Sequence, residues 1–233
     1  MLRWIAVSMM CVVALCTVVS AQENEAADRV WVDAGVNITN SYVFRGFVQE
    51  EHGFIAQPFV DLTVRLFEGE GAFESIDLTL GTWNSFHNSD TGNGSADNTD
   101  PRAWYEADGH ATLTFTIENF AIGATWIAYS SPNDSFDTIY EWNFDLAWDD
   151  AEMWGDFGGV QPTLTLAFED IGQRDGGDGH GYYLGFGIEP SIPVGDDMPF
   201  TLTAPIMLGL SLHDYYEPMR GDDNTFAFLD IGV

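Results

Sequence analysis

The stretch that decides the fold is YEADGHATLTFTI, residues 105–117. Its odd positions carry mainly apolar side chains, whereas its even positions carry Glu106, Asp108, His110 and three threonines. Successive side chains of a β-strand point to opposite sides, so this alternation with a period of two predicts a strand with one apolar and one polar face.

The same alternation recurs along most of the chain. It is clearest in residues 30–44, 55–66 and 140–148, and further strands are predicted near residues 73–85, 120–129, 160–169, 181–192, 199–213 and 225–233. No window after residue 22 has the 3.6-residue period of an amphipathic helix over several turns. The chain is therefore predicted to be all-β, an antiparallel up-and-down transmembrane β-barrel with about ten visible strands, or about twelve if the C-terminus is truncated.

Residues 1–21 have the pattern of a secretory signal peptide. Arg3 precedes an apolar run that ends in small residues at 19–21. The run is shorter than the about 20 residues that a transmembrane helix needs. Both cysteines of the chain lie in this segment, so we expect residues 22–233 to form a single β-barrel domain without a disulfide.

The charge balance excludes one class of partner. The chain has 37 Asp and Glu against 7 Lys and Arg, and its formal net charge is −30 at pH 7. Binding to nucleic acid requires clustered basic residues, so we expect no nucleic-acid partner. Hydrophobic residues make up 45% of the chain and aromatic residues 14%, which argues against a disordered acidic protein.

Alternation alone does not tell which face of the sheet points inward. A soluble barrel buries its apolar face, whereas a membrane barrel exposes that face to lipid. Compact connections at 68–72, 118–119 and 195–198 and longer polar ones such as 88–101 favour an outer-membrane barrel, although the connections after the fifth and sixth strands depart from the rule. Aromatic residues near strand ends are typical of interfacial girdles, and they include Tyr42, Phe44, Tyr105, Trp126, Trp142 and Trp148.

The sequence NSYVFRG, residues 40–46, resembles the S-x-Y-x-F/W-R-G signature near the mature N-terminus of the TorF-type family of outer-membrane porins. More diffuse likenesses lie in residues 55–64 and 214–233. The resemblance implies a β-barrel across the mature chain, with no enzyme activity and no cofactor. The chain departs from the usual barrel pattern because it stops at Val233 rather than at a terminal aromatic residue.

The polar face supplies the predicted lumen residues. These are two arginines and seven acids: Arg45, Arg65, Asp33, Asp61, Asp77, Glu106, Asp108, Glu141 and Asp145. Inward carboxylates lower the cost of entry for a positive ion. They predict a porin-like barrel for passive, cation-favouring passage of small solutes in the outer membrane of a Gram-negative-type bacterium, in contact with lipid and lipopolysaccharide. The alternatives are a non-conducting binding or structural barrel, whose acidic loops contact divalent ions or surface polymers, and a soluble periplasmic β-sandwich binding module. For Arg45 itself, the alternative to a lumen role is a structural salt bridge.

Two acidic loops have the oxygen-rich composition that Ca²⁺ prefers. The first contains Asp90, Asn93 and Asp97, and the second spans residues 175–178. Neither matches an EF-hand, and solvated turns of Asp, Asn and Gly are the alternative. The chain contains no G-x-S-x-G or H-E-x-x-H motif and its histidines are scattered, so no catalytic residue is predicted.

Overall fold

The alternating segments of the sequence form β-strands in the computed structural model, which describes residues 29–88, 103–154, 158–174, 176, 179–193, 201–216 and 226–232. The strands are β1 (Val30–Thr39), β2 (Tyr42–Phe44), β3 (Phe47–Glu50), β4 (Ile55–Glu68), β5 (Phe73–His87), β6 (Trp104–Ile117), β7 (Phe120–Ser130), β8 (Ile139–Trp148), β9 (Thr163–Ile171), β10 (Tyr182–Ile188), β11 (Ser191–Pro193), β12 (Thr201–Thr203), β13 (Ile206–His213) and β14 (Phe226–Ile231). A 3-10 helix (Ala151–Met153) follows β8. Among the described residues, no helix has the length and apolar character needed to cross a membrane.

Ten of these strands form one antiparallel sheet in the order β1-β4-β5-β6-β7-β8-β9-β10-β13-β14. Each strand pairs with the next of the set along the chain, so the sheet is an up-and-down meander. This confirms the predicted all-β class and the predicted ten strands of an antiparallel up-and-down sheet. Within the described residues no ladder joins β1 to β14, and these two strands form the edges of the sheet.

The two faces of the sheet have opposite character. Apolar side chains on one face are exposed, as in Val32 (63% exposed), Leu80 (50%) and Phe144 (47%). The opposite face buries charged side chains, and Glu106 and Glu141 are 0% and 1% exposed. The sheet therefore has the reverse of the arrangement found in soluble barrels, which bury the apolar face. We call the buried polar face the inner face.

The predicted first strand, residues 30–44, is wrong in its extent. β1 ends at Thr39, and β2 pairs with β3 to form a separate hairpin, here called the inner hairpin, residues 42–50. The cause is local: the Thr39 hydroxyl donates to the Ser41 carbonyl at 2.9 Å, and the Ser41 N–H donates to the Thr39 hydroxyl at 3.3 Å. Such side-chain bonds compete with the ladder and turn the chain away from the sheet.

A second predicted strand, residues 181–192, is also interrupted. β10 ends at Ile188, and β11 pairs only with β12 in a small separate sheet. Pro190 lies at the break, where it has no N–H to donate to a ladder.

The connections fall at two ends of the sheet. We call the end at which β1 finishes the upper end and the end at which β1 begins the lower end. The lower connections at 69–72 and 118–119 are compact, as predicted, whereas the lower connection at 149–162 is long. The predicted compact turn at 195–198 lies outside the described residues.

Asp150 organises the long lower connection. Its buried carboxylate accepts hydrogen bonds from the backbone N–H groups of Val160 (3.0 Å) and Gln161 (2.9 Å) and from the Trp154 indole (2.8 Å). Desolvation of the carboxylate raises its pKa, but the hydrogen bonds outweigh that effect, so that the pKa of Asp150 is lowered. The ionised form of Asp150 therefore stabilises this connection.

Candidate functional site

The site begins with the turn of the inner hairpin. Arg45 and Gly46 have φ angles of 45° and 82°, the positive values that a two-residue hairpin turn of the primed type requires. Arg45 therefore lies at the tip of a hairpin and not at the end of a strand in the main sheet. A Cβ on Gly46 would lie 2.8 Å from the Phe228 ring of β14, so the tip reaches the far edge of the sheet.

The inner hairpin lies against the inner face. On one side, the Tyr42 hydroxyl donates to Glu106 of β6 at 3.0 Å, and the Tyr42 ring is 5.5 Å from that of Trp83 on β5. On the other side, the Phe47 ring is 5.2 Å from that of Tyr216, which follows β13. The sheet thus curves around the hairpin. We call the space on the inner side of the curved sheet the lumen, and the hairpin occupies its upper part.

The guanidinium of Arg45 donates hydrogen bonds to three side chains. Its Nη1 donates to Glu141 at 2.7 Å and to the Tyr215 hydroxyl at 2.8 Å, while its Nη2 donates to Asn143 at 3.0 Å. The Tyr183 ring lies 4.6 Å from the guanidinium carbon. The hairpin tip is therefore held to β8, to β10 and to the segment after β13.

Arg174, which sequence reasoning missed, supplies a second guanidinium. It lies in the connection after β9, and it donates to Glu106 at 3.2 Å from Nη1 and 3.3 Å from Nη2. Its backbone N–H donates to Glu169 at 2.8 Å, which fixes the connection above the lumen. The Arg174 and Glu106 side chains are 4% and 0% exposed. Because Arg174 lies in a loop, the alternation of apolar and polar positions along a strand predicts nothing about it. The small number of arginines among many acidic residues nevertheless indicates that each arginine forms an ion pair.

Two tyrosines of the site remain protonated. Burial, followed by the negative charge of Glu106, raises the pKa of Tyr42 well above its ordinary value. Burial likewise raises the pKa of Tyr215, although the nearby Arg45 opposes the shift. Tyr42 therefore donates to Glu106 as a neutral phenol, and the Tyr215 oxygen accepts from Arg45.

Asp108 adds a buried acceptor below Glu106. It follows Glu106 by two residues on the inner face of β6, and it is 7% exposed. Among the described residues its Oδ1 atom has no hydrogen-bond partner. Together with Glu106, Glu141 and Glu169, it makes the buried carboxyl groups at the upper end more numerous than the two guanidinium groups.

Other predicted lumen residues lie lower on the inner face. Arg65 pairs with Asp77 at 2.9 Å, and their side chains are 29% and 12% exposed. Asp61 pairs with His110 at 3.0 Å. The structure therefore brings Arg45, Glu106, Asp108 and Glu141 together but places Arg65 and Asp77 apart from them.

Two predicted acids have different surroundings. Asp145 accepts a hydrogen bond of 2.6 Å from Thr165 and lines a cavity of about 350 Å³ next to Arg45. Asp230 of β14 lines the same cavity. Asp33 lies opposite Asp61 in the β1–β4 ladder and is exposed. The acids of the lumen thus continue below the hairpin.

The predicted calcium loops remain predictions. Asp90, Asn93 and Asp97 lie outside the described residues, as do Asp175, Gly177 and Asp178 of the second loop. In the part of the chain that the structure describes, no three His, Cys, Asp or Glu side chains are grouped as a metal site.

Comparisons with protein-family models, with curated proteins and with solved structures find no match for this chain. The resemblance of residues 40–46 to the TorF-type family stays a prediction, and the site is interpreted from its own geometry.

Proposed function

We propose that this chain is an outer-membrane β-barrel that allows passive, cation-favouring passage of small solutes, with a lumen narrowed at its upper end by the inner hairpin. The observation that carries the proposal is the orientation of the ten-stranded sheet, whose apolar face is exposed and whose polar face is buried. Lipid stabilises an exposed apolar face of this extent, and alternating strands of this kind are typical of outer-membrane barrels.

The same orientation disfavours a soluble periplasmic β-sandwich. A sandwich buries the apolar faces of two sheets against each other. Here the main sheet encloses Glu106, Glu141 and Arg174, while Leu62 and Trp142 on its other face are 41% and 43% exposed. A soluble protein with this sheet would therefore expose apolar side chains to water and bury charged ones.

The charge of the lumen supports cation preference. Three buried carboxylates, Glu106, Glu141 and Glu169, face two guanidinium groups at the upper end, and Asp145 and Asp230 line the cavity below them. An excess of fixed negative charge lowers the electrostatic cost of a cation inside a narrow passage and raises that of an anion.

One observation favours a second candidate, a non-conducting structural barrel. Glu106, Glu141 and Tyr215 are 0%, 1% and 0% exposed, so the hairpin leaves almost no solvent-accessible surface on them. A lumen filled in this way conducts only if the inner hairpin moves or if a passage remains beside it.

The test compares the exported chain, residues 22–233, with a variant in which a Gly-Ser linker of equal length replaces residues 42–50. Both are refolded in detergent, checked for a mobility shift on boiling, and inserted into planar bilayers. We expect cation-selective current in both and a larger conductance in the variant. Replacement of the lower turn at 69–72 is the control, and it should leave the conductance unchanged.

Each outcome has a consequence. Anion preference would contradict the charge argument, and equal conductance would contradict narrowing by the hairpin. The absence of current from both proteins would favour the structural barrel. The absence of a mobility shift together with solubility in plain buffer would overturn the membrane assignment.

A further inference from the structure

Two guanidinium groups occupy similar surroundings in the upper lumen. For Arg45, Glu141 accepts a hydrogen bond at 2.7 Å, and the rings of Tyr183 and Phe44 lie 4.6 and 4.9 Å from the guanidinium carbon. Each element of a cation cage is present: a carboxylate at the edge of the planar group and aromatic rings over it.

The second cage repeats this composition with different residues. Glu106 accepts from Arg174, and the rings of Tyr129 and Phe44 lie 4.6 and 4.5 Å from its guanidinium carbon. Phe44 of the inner hairpin is therefore shared by both cages. Tyr129 also links the cages, because its hydroxyl donates to Glu141 at 2.9 Å.

The geometry suits a guanidinium group better than an ammonium group. The acceptors of Arg45, on Glu141, Asn143 and Tyr215, use separate N–H groups of one planar fork. A guanidinium is planar, weakly hydrated and able to stack on aromatic faces, whereas an ammonium is a compact and strongly hydrated point charge. The cage therefore fits the shape of a guanidinium group as well as its charge.

Space and unused acceptors adjoin these cages. The cavity of about 350 Å³ next to Arg45 is within the size range of small-ligand sites, and Asp145 and Asp230 line it. The Oδ1 atom of Asp108, on a residue only 7% exposed, has no hydrogen-bond partner among the described residues. The upper lumen thus holds more acceptor capacity than its two arginines use.

We propose that the upper lumen is a recognition site for guanidinium-bearing solutes, and that the side chains of Arg45 and Arg174 are its internal occupants in this structure. The passage of such solutes rests on the proposed pore function, but their binding does not. A solute guanidinium takes the place of an internal one, with the carboxylate at its edge and the tyrosine rings over its faces.

The test removes the guanidinium group of Arg45 and supplies a free guanidinium compound in its place. Arg45→Ala removes one guanidinium and leaves its cage, so methylguanidinium should bind there and stabilise the folded barrel. The temperature at which the folded band is lost on a denaturing gel is measured with increasing methylguanidinium. Methylammonium controls for charge and methylurea for shape.

We expect a saturable rise in this temperature for Arg45→Ala with methylguanidinium and a smaller rise or none with the two controls. The rise should be absent from the Arg45→Ala, Glu141→Gln double variant, which lacks the carboxylate of the cage. Arg174→Ala provides a second, independent cage, for which Glu106→Gln is the matching control. Equal effects of methylguanidinium and methylurea, or no effect in either single variant, would overturn the proposal.

If Arg45→Ala does not refold alone, the same additives are compared during refolding. Recovery with methylguanidinium alone supports the site, and recovery with all three additives or with none overturns it. The result is separable from the pore function. Rescue without current through the unmodified barrel would support the site and contradict the pore, whereas current without rescue would do the reverse.

Discussion

Replacing Arg45 by methionine tests whether a buried ion pair holds the inner hairpin in the lumen. Methionine keeps much of the apolar length of the side chain but removes its charge and its donors. The substitution leaves Glu141, which is 1% exposed, without its cation, and leaves Asn143 and Tyr215 without their donor. Removing one partner of a buried pair costs about 3–5 kcal/mol, because the remaining charge stays desolvated.

Arg65→Met is the matched control, since it removes the same chemical group from a second arginine–carboxylate pair. Arg65 and Asp77 have side chains 29% and 12% exposed, compared with 13% and 1% for Arg45 and Glu141. Solvent screens a partly exposed pair, so we expect a loss of about 1 kcal/mol or less. The two variants therefore make the same substitution but differ in the burial of the pair and in the number of side chains that lose a donor.

The assay is urea unfolding of the barrel refolded into lipid vesicles, followed by tryptophan fluorescence and by the mobility shift. The double variant Arg45→Met, Glu141→Gln should recover part of the loss, because it also removes the buried charge, and the double-mutant cycle should give a coupling of about 2–3 kcal/mol. If Arg45→Met costs no more than Arg65→Met, the hairpin is not held by the buried pair and the reasoning fails.

Three further predictions concern the outer face, a turn and the lower connection. Leu80→Arg should reduce stability in vesicles by about 2–4 kcal/mol if the exposed face meets lipid, whereas a change below about 0.5 kcal/mol, as is usual at a position exposed to water, would contradict this. Gly172→Ala should lower the free energy of unfolding in urea by about 1–3 kcal/mol, because Gly172 has φ +72° and a Cβ there would lie 2.9 Å from the Thr138 carbonyl oxygen. Gly71→Ala is the control and should leave stability unchanged, because a Cβ on Gly71 would have no atom within 4 Å. Asp150→Asn should destabilise the protein at neutral pH. Because the folded pKa of Asp150 is lowered, its contribution is present above the ordinary value of about 3.9 and is lost as the pH falls through the folded pKa. Urea titrations of both proteins across this range should therefore converge in acid, and a gap that is constant with pH would exclude the ionised form as the cause.

Which residues share a face of the main sheet was predictable from sequence because strand geometry alone imposes it. Glu106, Asp108, Glu141 and Asp145 lie together on one face, as their parity with alternating apolar neighbours predicts, and the structure shows that this face is the inner one. Outside a strand, however, the even or odd position of a residue does not predict where its side chain points. Arg174 lies in a connection, so nothing in the alternation predicted that its guanidinium would reach Glu106.

The inner hairpin shows the limit of the same rule. Tyr42 and Phe44 continue the apolar parity of β1, which predicts that they belong to the interfacial girdle. In the structure both side chains pack in the lumen, where Tyr42 bonds Glu106 and the Phe44 ring is 5.7 Å from that of Tyr129. Aromatic residues suit either place, because a membrane interface and a partly polar lumen both favour an apolar ring.

The break at Thr39 connects local sequence to the electrostatics of the whole lumen. If residues 30–44 were one continuous strand, Arg45 would lie at the upper rim of the sheet, where water screens its charge. The turn after Thr39 instead carries the guanidinium across the lumen to Glu141. A cation at that depth offsets part of the excess of buried carboxylate, which would otherwise repel itself strongly in a low dielectric. Under the proposed pore function, the position of the hairpin therefore determines both how narrow the lumen is and how much negative charge remains to attract a cation.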